Sequence, residues 1–254
     1  MALRIGSVSY LNAKPLIHGL DQYPDLSVAL DVPARLLEGL AARRFDIALL
    51  PVIDYQRLPG LRIVPSGGIG CDGATLTVRI FSPVPIEQIR TLACDPESHT
   101  SVALARVILA ERYGITPTLI DLGQPTDGAM LLIGDKVVTE EPAALPHQLD
   151  LGVAWKQLTG KPFVFAVWIA RAGVELGDLP QRLQLAKRCG LADLQSIVDL
   201  HAVPRGWPRH LALRYLSTNL KYDIGPPQLE AIRYFHEMCA KHALIPPPRP
   251  LELY

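Results

Sequence analysis

The chain lacks an excess of charge of either sign: 25 Lys and Arg stand against 25 Asp and Glu among 254 residues, for a formal net charge of zero. A nucleic-acid partner would favour a basic surface, so none is expected. No run of about 18 apolar residues occurs, which argues against a membrane span. No basic segment with an apolar core and small-residue cleavage site precedes the first strand signal, so the expectation is a cytoplasmic protein. The four cysteines, Cys71, Cys94, Cys189 and Cys239, form no C-x-x-C, and reduced, mostly buried thiols are the simple reading. The seven histidines form no H-x-x-x-H or H-E-x-x-H pair, so a metal site has little support.

What is present is a rather apolar globular chain, 49% hydrophobic and 20% charged. At this length folding buries roughly three-quarters of the unfolded surface, and no staples are needed. The stretch Arg4–Leu16 (RIGSVSYLNAKPL) organises the rest. Ile5 to Tyr10 reads as a buried strand, and Pro15 suits the first turn of a helix beginning near Leu16. A strand running into a helix leaves its connecting residues at the carboxyl end of the strand, where open α/β sheets bind ligands. Asn12 is therefore a candidate polar group at a cleft mouth, or a cap for the following helix.

Residues 26–32 and 46–51 read as strands around a helix opened by Pro33, with Leu36, Leu37, Leu40 and Ala41 on one face. Two such β-α-β units predict a parallel sheet. Gly67 to Gly73 (GGIGCDG) is too glycine-rich for regular structure, and it is neither a P-loop nor a dinucleotide fingerprint, because Ala74 to Phe81 reads as a strand. Ser98-His99-Thr100-Ser101 opens a helix that Gly114 ends. Its N-terminus offers amide hydrogens for a carboxylate or phosphate, unless the hydroxyls only satisfy those amides. Asp135 follows a strand at a carboxyl edge, as a cleft contact or a simple cap. Phe163 to Ala170 has the composition of a central strand buried on both faces. From Gly177 the pattern is helical, with a first stripe at Leu179, Leu183, Ala186 and Cys189 closed by Gly190, and the proline-rich tail should lie extended on the surface. The order suggests an α/β protein of two lobes, residues 1–84 plus 163–254 and residues 85–162. The chain would cross between them near Pro83–Pro85 and Lys161–Phe163, hinging around a ligand.

Several of these stretches also resemble one family. RIGSVSYLNAKPL, GCDG at 70–73, SHTSVALARVILAERYG at 98–114, LIGD at 132–135, WKQLTGKPFVFAVW at 155–168 and GPPQLEAIRYF at 225–235 are similar to chorismate dehydratases of the futalosine route to menaquinone. The resemblance implies a type II periplasmic-binding-protein-like fold with a hinged interlobe cleft and no redox cofactor or metal. It implies a small-molecule substrate, chorismate, which loses water to give 3-[(1-carboxyvinyl)oxy]benzoate. It places the family's catalytic asparagine at Asn12 and a cleft hydroxyl, serine in the family, at Thr77. Ser9, Tyr10, Asp72, Ser98, Thr100, Ser101, Gly134 and Asp135 would contact the substrate, Asp135 only if its charge is paired or neutralised. The alternatives are a non-catalytic binding protein for a small dianionic metabolite, or a same-fold enzyme acting on a related pathway intermediate.

Overall fold

A computed structural model describes residues 2–95, 98–124, 128–140, 142 and 145–254. The first half of the chain alternates strands and short helices as its apolar pattern dictates. β1 (Leu3–Val8) leads through a 3-10 turn (Leu11–Ala13) into α1 (Lys14–Ile17); β2 (Leu26–Asp31), α2 (Pro33–Ala41) and β3 (Ile47–Pro51) follow. β2, β1 and β3 are parallel neighbours, as the two β-α-β units require. A 3-10 turn (Val52–Gln56) then precedes β4 (Leu61–Cys71). β4 continues through most of the glycine-rich stretch, against the expectation of irregular structure, although its pairing with β10 is bulged at residues 65–67, where Gly67 has a φ of 132°. The reason is close approach: a Cβ on Gly68 would lie 2.6 Å from the Ala166 carbonyl oxygen, and one on Gly70 2.6 Å from that of Phe163. The glycines let a strand pass tightly against its neighbour rather than turn.

The chain then enters the second lobe with β5 (Val78–Ser82), β6 (Thr91–Cys94), α3 (His99–Tyr113), β7 (Thr118–Asp121), β8 (Ala129–Ile133), α4 (Lys136–Thr139), β9 (His147–Asp150) and α5 (Leu151–Thr159). It returns through β10 (Phe163–Arg171), α6 (Leu179–Ala192), α7 (Leu194–His201), α8 (Arg209–Arg214), β11 (Leu220–Lys221) and α9 (Pro226–Lys241). The described residues form a six-stranded sheet, β11-β4-β10-β3-β1-β2, and a five-stranded sheet, β7-β6-β8-β5-β9. β10 sits inside the first sheet, antiparallel to both β3 and β4.

Two boundaries differ from the sequence reading. Val78–Ser82, expected with the first lobe, pairs with β8 and β9 in the second sheet. The first crossing therefore lies at residues 72–77, and Pro83 and Pro85 only end a strand whose ladder they cannot extend. Gly190 lies inside α6 instead of closing it. A Cβ there would meet the Pro15 carbonyl oxygen at 2.3 Å, so this glycine is what allows α6 to lie on α1.

The core is continuous between the lobes. Trp155 of α5 packs edge-on against Phe163 of β10 and Phe235 of α9, tying the return crossing to both. Cys71, Cys94 and Cys239 are buried free thiols and Cys189 is exposed. The proline-rich tail is extended along β4, where Ile63 donates to the Glu252 carbonyl at 2.8 Å and Tyr254 to that of Ile63 at 3.0 Å. Among the described residues no helix is long and apolar enough to cross a membrane.

Candidate active site

The two sheets face each other across one pocket enclosing about 670 Å³ of non-atom space, counting its open mouth. The first lobe contributes the carboxyl ends of β1 and β3 with Asn12; the second contributes Thr77, the end of β8 and the first turn of α3. The tip after the opening strand and the start of the mid-chain helix thus meet across a single cavity, as the sequence order predicts. Tyr10, Asn12, Thr77, Ser98, Thr100, Ser101 and Gly134 all line it.

Asn12 sits in the 3-10 turn after β1. It caps nothing: neither this turn nor α1 has a side-chain cap bond. Its amide instead bonds the Tyr215 hydroxyl, while its Oδ1 is buried and has no partner among the described residues. Tyr215 is buried at the junction of α8 with a π-helical turn (Tyr215–Asn219). Its hydroxyl lies 2.7 Å from Thr77 Oγ1, and burial pushes its pKa up despite the bonds to Thr77 and Asn12. The tyrosine therefore stays a neutral phenol holding two pocket residues, one from each lobe.

Thr77 is fixed from behind. Leu76, just before it, has a positive φ of 68°, an uncommon conformation for a side-chain-bearing residue. The Asp150 carboxylate holds this crossing: it accepts from the amides of Thr75 and Leu76 and, as the cap of α5, from those of Gly152 and Val153. Gly134 closes the other side by donating its N–H to the Thr77 carbonyl at 2.8 Å.

At α3 the hydroxyls are not spent on the helix itself. Ser98 is the N-cap residue yet makes no side-chain cap bond, and Thr100 Oγ1 accepts from the Ile53 amide at 3.5 Å. Free amide hydrogens and the positive end of a 15-residue helix thus face the pocket.

Three expected contacts are not brought to the lining. Ser9 has an exposed side chain, and its carbonyl accepts from Arg205 at 3.3 Å. Asp135 pairs with the same guanidinium at 3.1 Å, so Arg205 bridges the lobes at the rim. Asp72 is exposed and pairs with Lys156 at 2.6 Å. Lys14, beneath this rim, is buried with its pKa lowered, first by burial and then by Arg205, against the opposing effect of Asp135. Tyr215 and Asp150 escape the sequence reading as site residues, and His99 enters it only as part of the Ser98–Ser101 segment. An Asp before an apolar helix is a readable cap signal, but nothing local marks Tyr215.

The family model described as menaquinone biosynthesis matches residues 3–241. The chain belongs to this menaquinone-biosynthesis family. A relative from Thermus thermophilus named chorismate dehydratase is 30% identical over 256 residues, spanning 92% of this chain and 93% of that protein. A crystal structure of a protein from Archaeoglobus fulgidus superposes with a TM-score of 0.74 at 14% identity, over 96% of this chain and 98% of that one. The periplasmic aliphatic sulphonate binding protein SsuA from Escherichia coli gives 0.70 at 16% identity, over 100% and 94%. At such identities the likeness is one of fold, and it is the two-lobed periplasmic-binding-protein fold that the family member adopts.

Proposed function

We propose that this protein is a hydro-lyase that converts chorismate to 3-[(1-carboxyvinyl)oxy]benzoate and water, on the futalosine route to menaquinone in the cytoplasm. The observation that carries the reading is the Asn12 Oδ1, buried and, among the described residues, unpartnered at an apolar pocket between the lobes. A desolvated acceptor without a bond is costly unless a ligand supplies the donor. The name of the Thermus thermophilus relative supports the same assignment.

In this reading the ring loses the hydrogen on the carbon bearing the enolpyruvyl ether, the neighbouring hydroxyl leaves, and aromatisation drives the step. An amide is not a useful base near neutral pH, so Asn12 orients the substrate while the substrate's own enolpyruvyl carboxylate accepts the proton. Thr77 and Tyr215 hold Asn12 in place, and Thr100, Ser101 and the α3 amides receive a carboxylate. Fixing both carboxylates and the ether in one conformer selects dehydration over rearrangement or loss of pyruvate. Purified protein incubated with chorismate is expected to bleach the diene absorbance and yield the aromatic ether. Tight binding of chorismate with no turnover would make the protein a receptor and end the proposal.

A further inference from the structure

Two of the buried polar atoms that have no partner among the described residues belong to side chains lining the interlobe pocket: Asn12 Oδ1 and Thr75 Oγ1. The two are complementary. An amide oxygen only accepts, whereas a hydroxyl also donates. Asn12 Oδ1 therefore calls for a donor on the substrate, and Thr75 is free to give its proton to a substrate oxygen. A buried polar group left bare costs free energy that a ligand returns on binding.

Local geometry turns the Thr75 hydroxyl towards the pocket. Thr75 belongs to the crossing between the lobes, is 1% exposed, and donates its amide to the Asp150 carboxylate at 3.1 Å. Its methyl faces the start of α5: a Cβ built on Gly152 would lie 2.7 Å from Thr75 Cγ2 and 2.8 Å from Cys71 Sγ. Neither Gly152 nor Cys71 lines the pocket. Amide and methyl are thus committed behind the wall, and the branch left for the pocket is Oγ1. The neighbouring strand ends, where Ala166 pairs with Ile69 and Leu220 with Cys71, contribute only apolar side chains to the lining: Ile69, Phe165 and Leu220.

The rest of the lining decides what Thr75 holds. No Lys, Arg, Asp or Glu lines the pocket, so carboxylates are received there by N–H and O–H donors. Ser98, Thr100 and Ser101 stand together at the start of α3 with its free amides, a place for one carboxylate. Thr77 is already bonded to Tyr215. A second carboxylate on the same small molecule needs a donor from another element, and the crossing supplies it in Thr75.

Resting on the reading of a dicarboxylate substrate above, we infer that Thr75 is a substrate-binding residue, its Oγ1–H donating to the carboxylate that the α3 turn does not hold. The site therefore prefers two carboxylates to one on the same skeleton.

Two stable aryl ethers test this: 3-(carboxymethoxy)benzoate, with carboxylates on both sides of a meta ether, and 3-methoxybenzoate, with one carboxylate. Each is titrated calorimetrically into wild type, Thr75→Val and Thr75→Ser, and kcat/KM for chorismate is measured on the same preparations. Wild type is expected to bind the dicarboxylate at least about tenfold more tightly than the monocarboxylate. Thr75→Val keeps the methyl against α5 and removes the hydroxyl. It should weaken the dicarboxylate and lower kcat/KM by about tenfold or more, the worth of one hydrogen bond to a charged group, while 3-methoxybenzoate changes less than about twofold. Thr75→Ser keeps the hydroxyl and should stay within about threefold of wild type for both ligands. If the Val variant does not fold, Thr75→Ala carries the same comparison. A wild type with no preference for the dicarboxylate, a hydroxyl-free variant that keeps that preference or weakens both ligands alike, or a Thr75→Ser that behaves like Thr75→Val would overturn the contact. A preference lost with the hydroxyl, but no turnover of chorismate by wild type, ends the proposed activity and leaves the contact standing. Turnover with the preference intact in Thr75→Val does the reverse.

Discussion

The Tyr215 hydroxyl lies 2.7 Å from Thr77 Oγ1 and also bonds the Asn12 amide, so one buried phenol joins the two lobes at the centre of the pocket. Tyr215→Phe removes this join while keeping the ring stacked on Trp207. Leaving two buried polar groups without a partner is expected to cost about 1–3 kcal/mol of stability. Because Asn12 loses its support, kcat for chorismate should fall at least about tenfold with KM little changed. A denaturant titration and steady-state kinetics on the same preparation read both effects.

Asn12→Ala separates orientation from folding. Since Asn12 caps neither flanking helix, the variant should stay within about 1 kcal/mol of wild-type stability. Removing an oriented polar group from the reacting centre is expected to lower kcat by about a hundredfold or more. A variant that unfolds yet keeps normal specific activity in its folded fraction would return Asn12 to a structural role.

Gly70→Ala tests the close approach of β4 to β10. The added methyl would lie 2.6 Å from the Phe163 carbonyl oxygen, so the backbone must shift. The expected loss is about 1–3 kcal/mol, seen as a melting temperature lower by several degrees.

His236 sets a pH limit on stability. It is buried beneath the 3-10 turn of the first lobe; Nε2 donates to the Val52 carbonyl at 2.9 Å and Nδ1 accepts from Gln56 at 3.0 Å. Burial, against the bond to Val52 and with help from Arg249, lowers its pKa from 6.5 to about 4. A depressed folded-state value means that the unfolded chain takes up the proton first. Stability from this group is therefore complete above 6.5 and is lost as pH falls towards about 4, by up to about 3 kcal/mol. Urea midpoints for wild type and His236→Gln should diverge at neutral pH and converge as the solution is acidified.

Much of this architecture is legible in the amino-acid sequence. The parallel β2-β1-β3 group follows from apolar runs separated by Pro33 and a helical stripe, and the meeting of Asn12 with the start of α3 follows from strand order. What failed were residues whose role depends on a distant partner. Gly68 and Gly70 look like turn formers until β10, about 95 residues on, is seen against them. Gly190 looks like a helix stop until α1 is seen against α6. Asp72 and Asp135 sit in the right loops but pair with Lys156 and Arg205, and Ser9 offers Arg205 only its backbone carbonyl, an outcome that spacing along the chain does not encode. Tyr215, some 140 residues from Thr77, has no local signature at all.

The position of β10 constrains how the molecule can be made. The strand flanked by β3 and β4 is encoded after the entire inserted second lobe. A nascent chain ending anywhere before Phe163 therefore carries β3 and β4 with adjoining edges bare, exposing unpaired backbone N–H and C=O groups on apolar strands during translation. The inserted lobe, whose own five strands are complete by Asp150, is free to fold ahead of the lobe that precedes it in the chain. Synthesis thus runs from the amino end while assembly of the first sheet waits on its middle, and truncations short of Arg171 should collect in aggregates instead of as half-molecules.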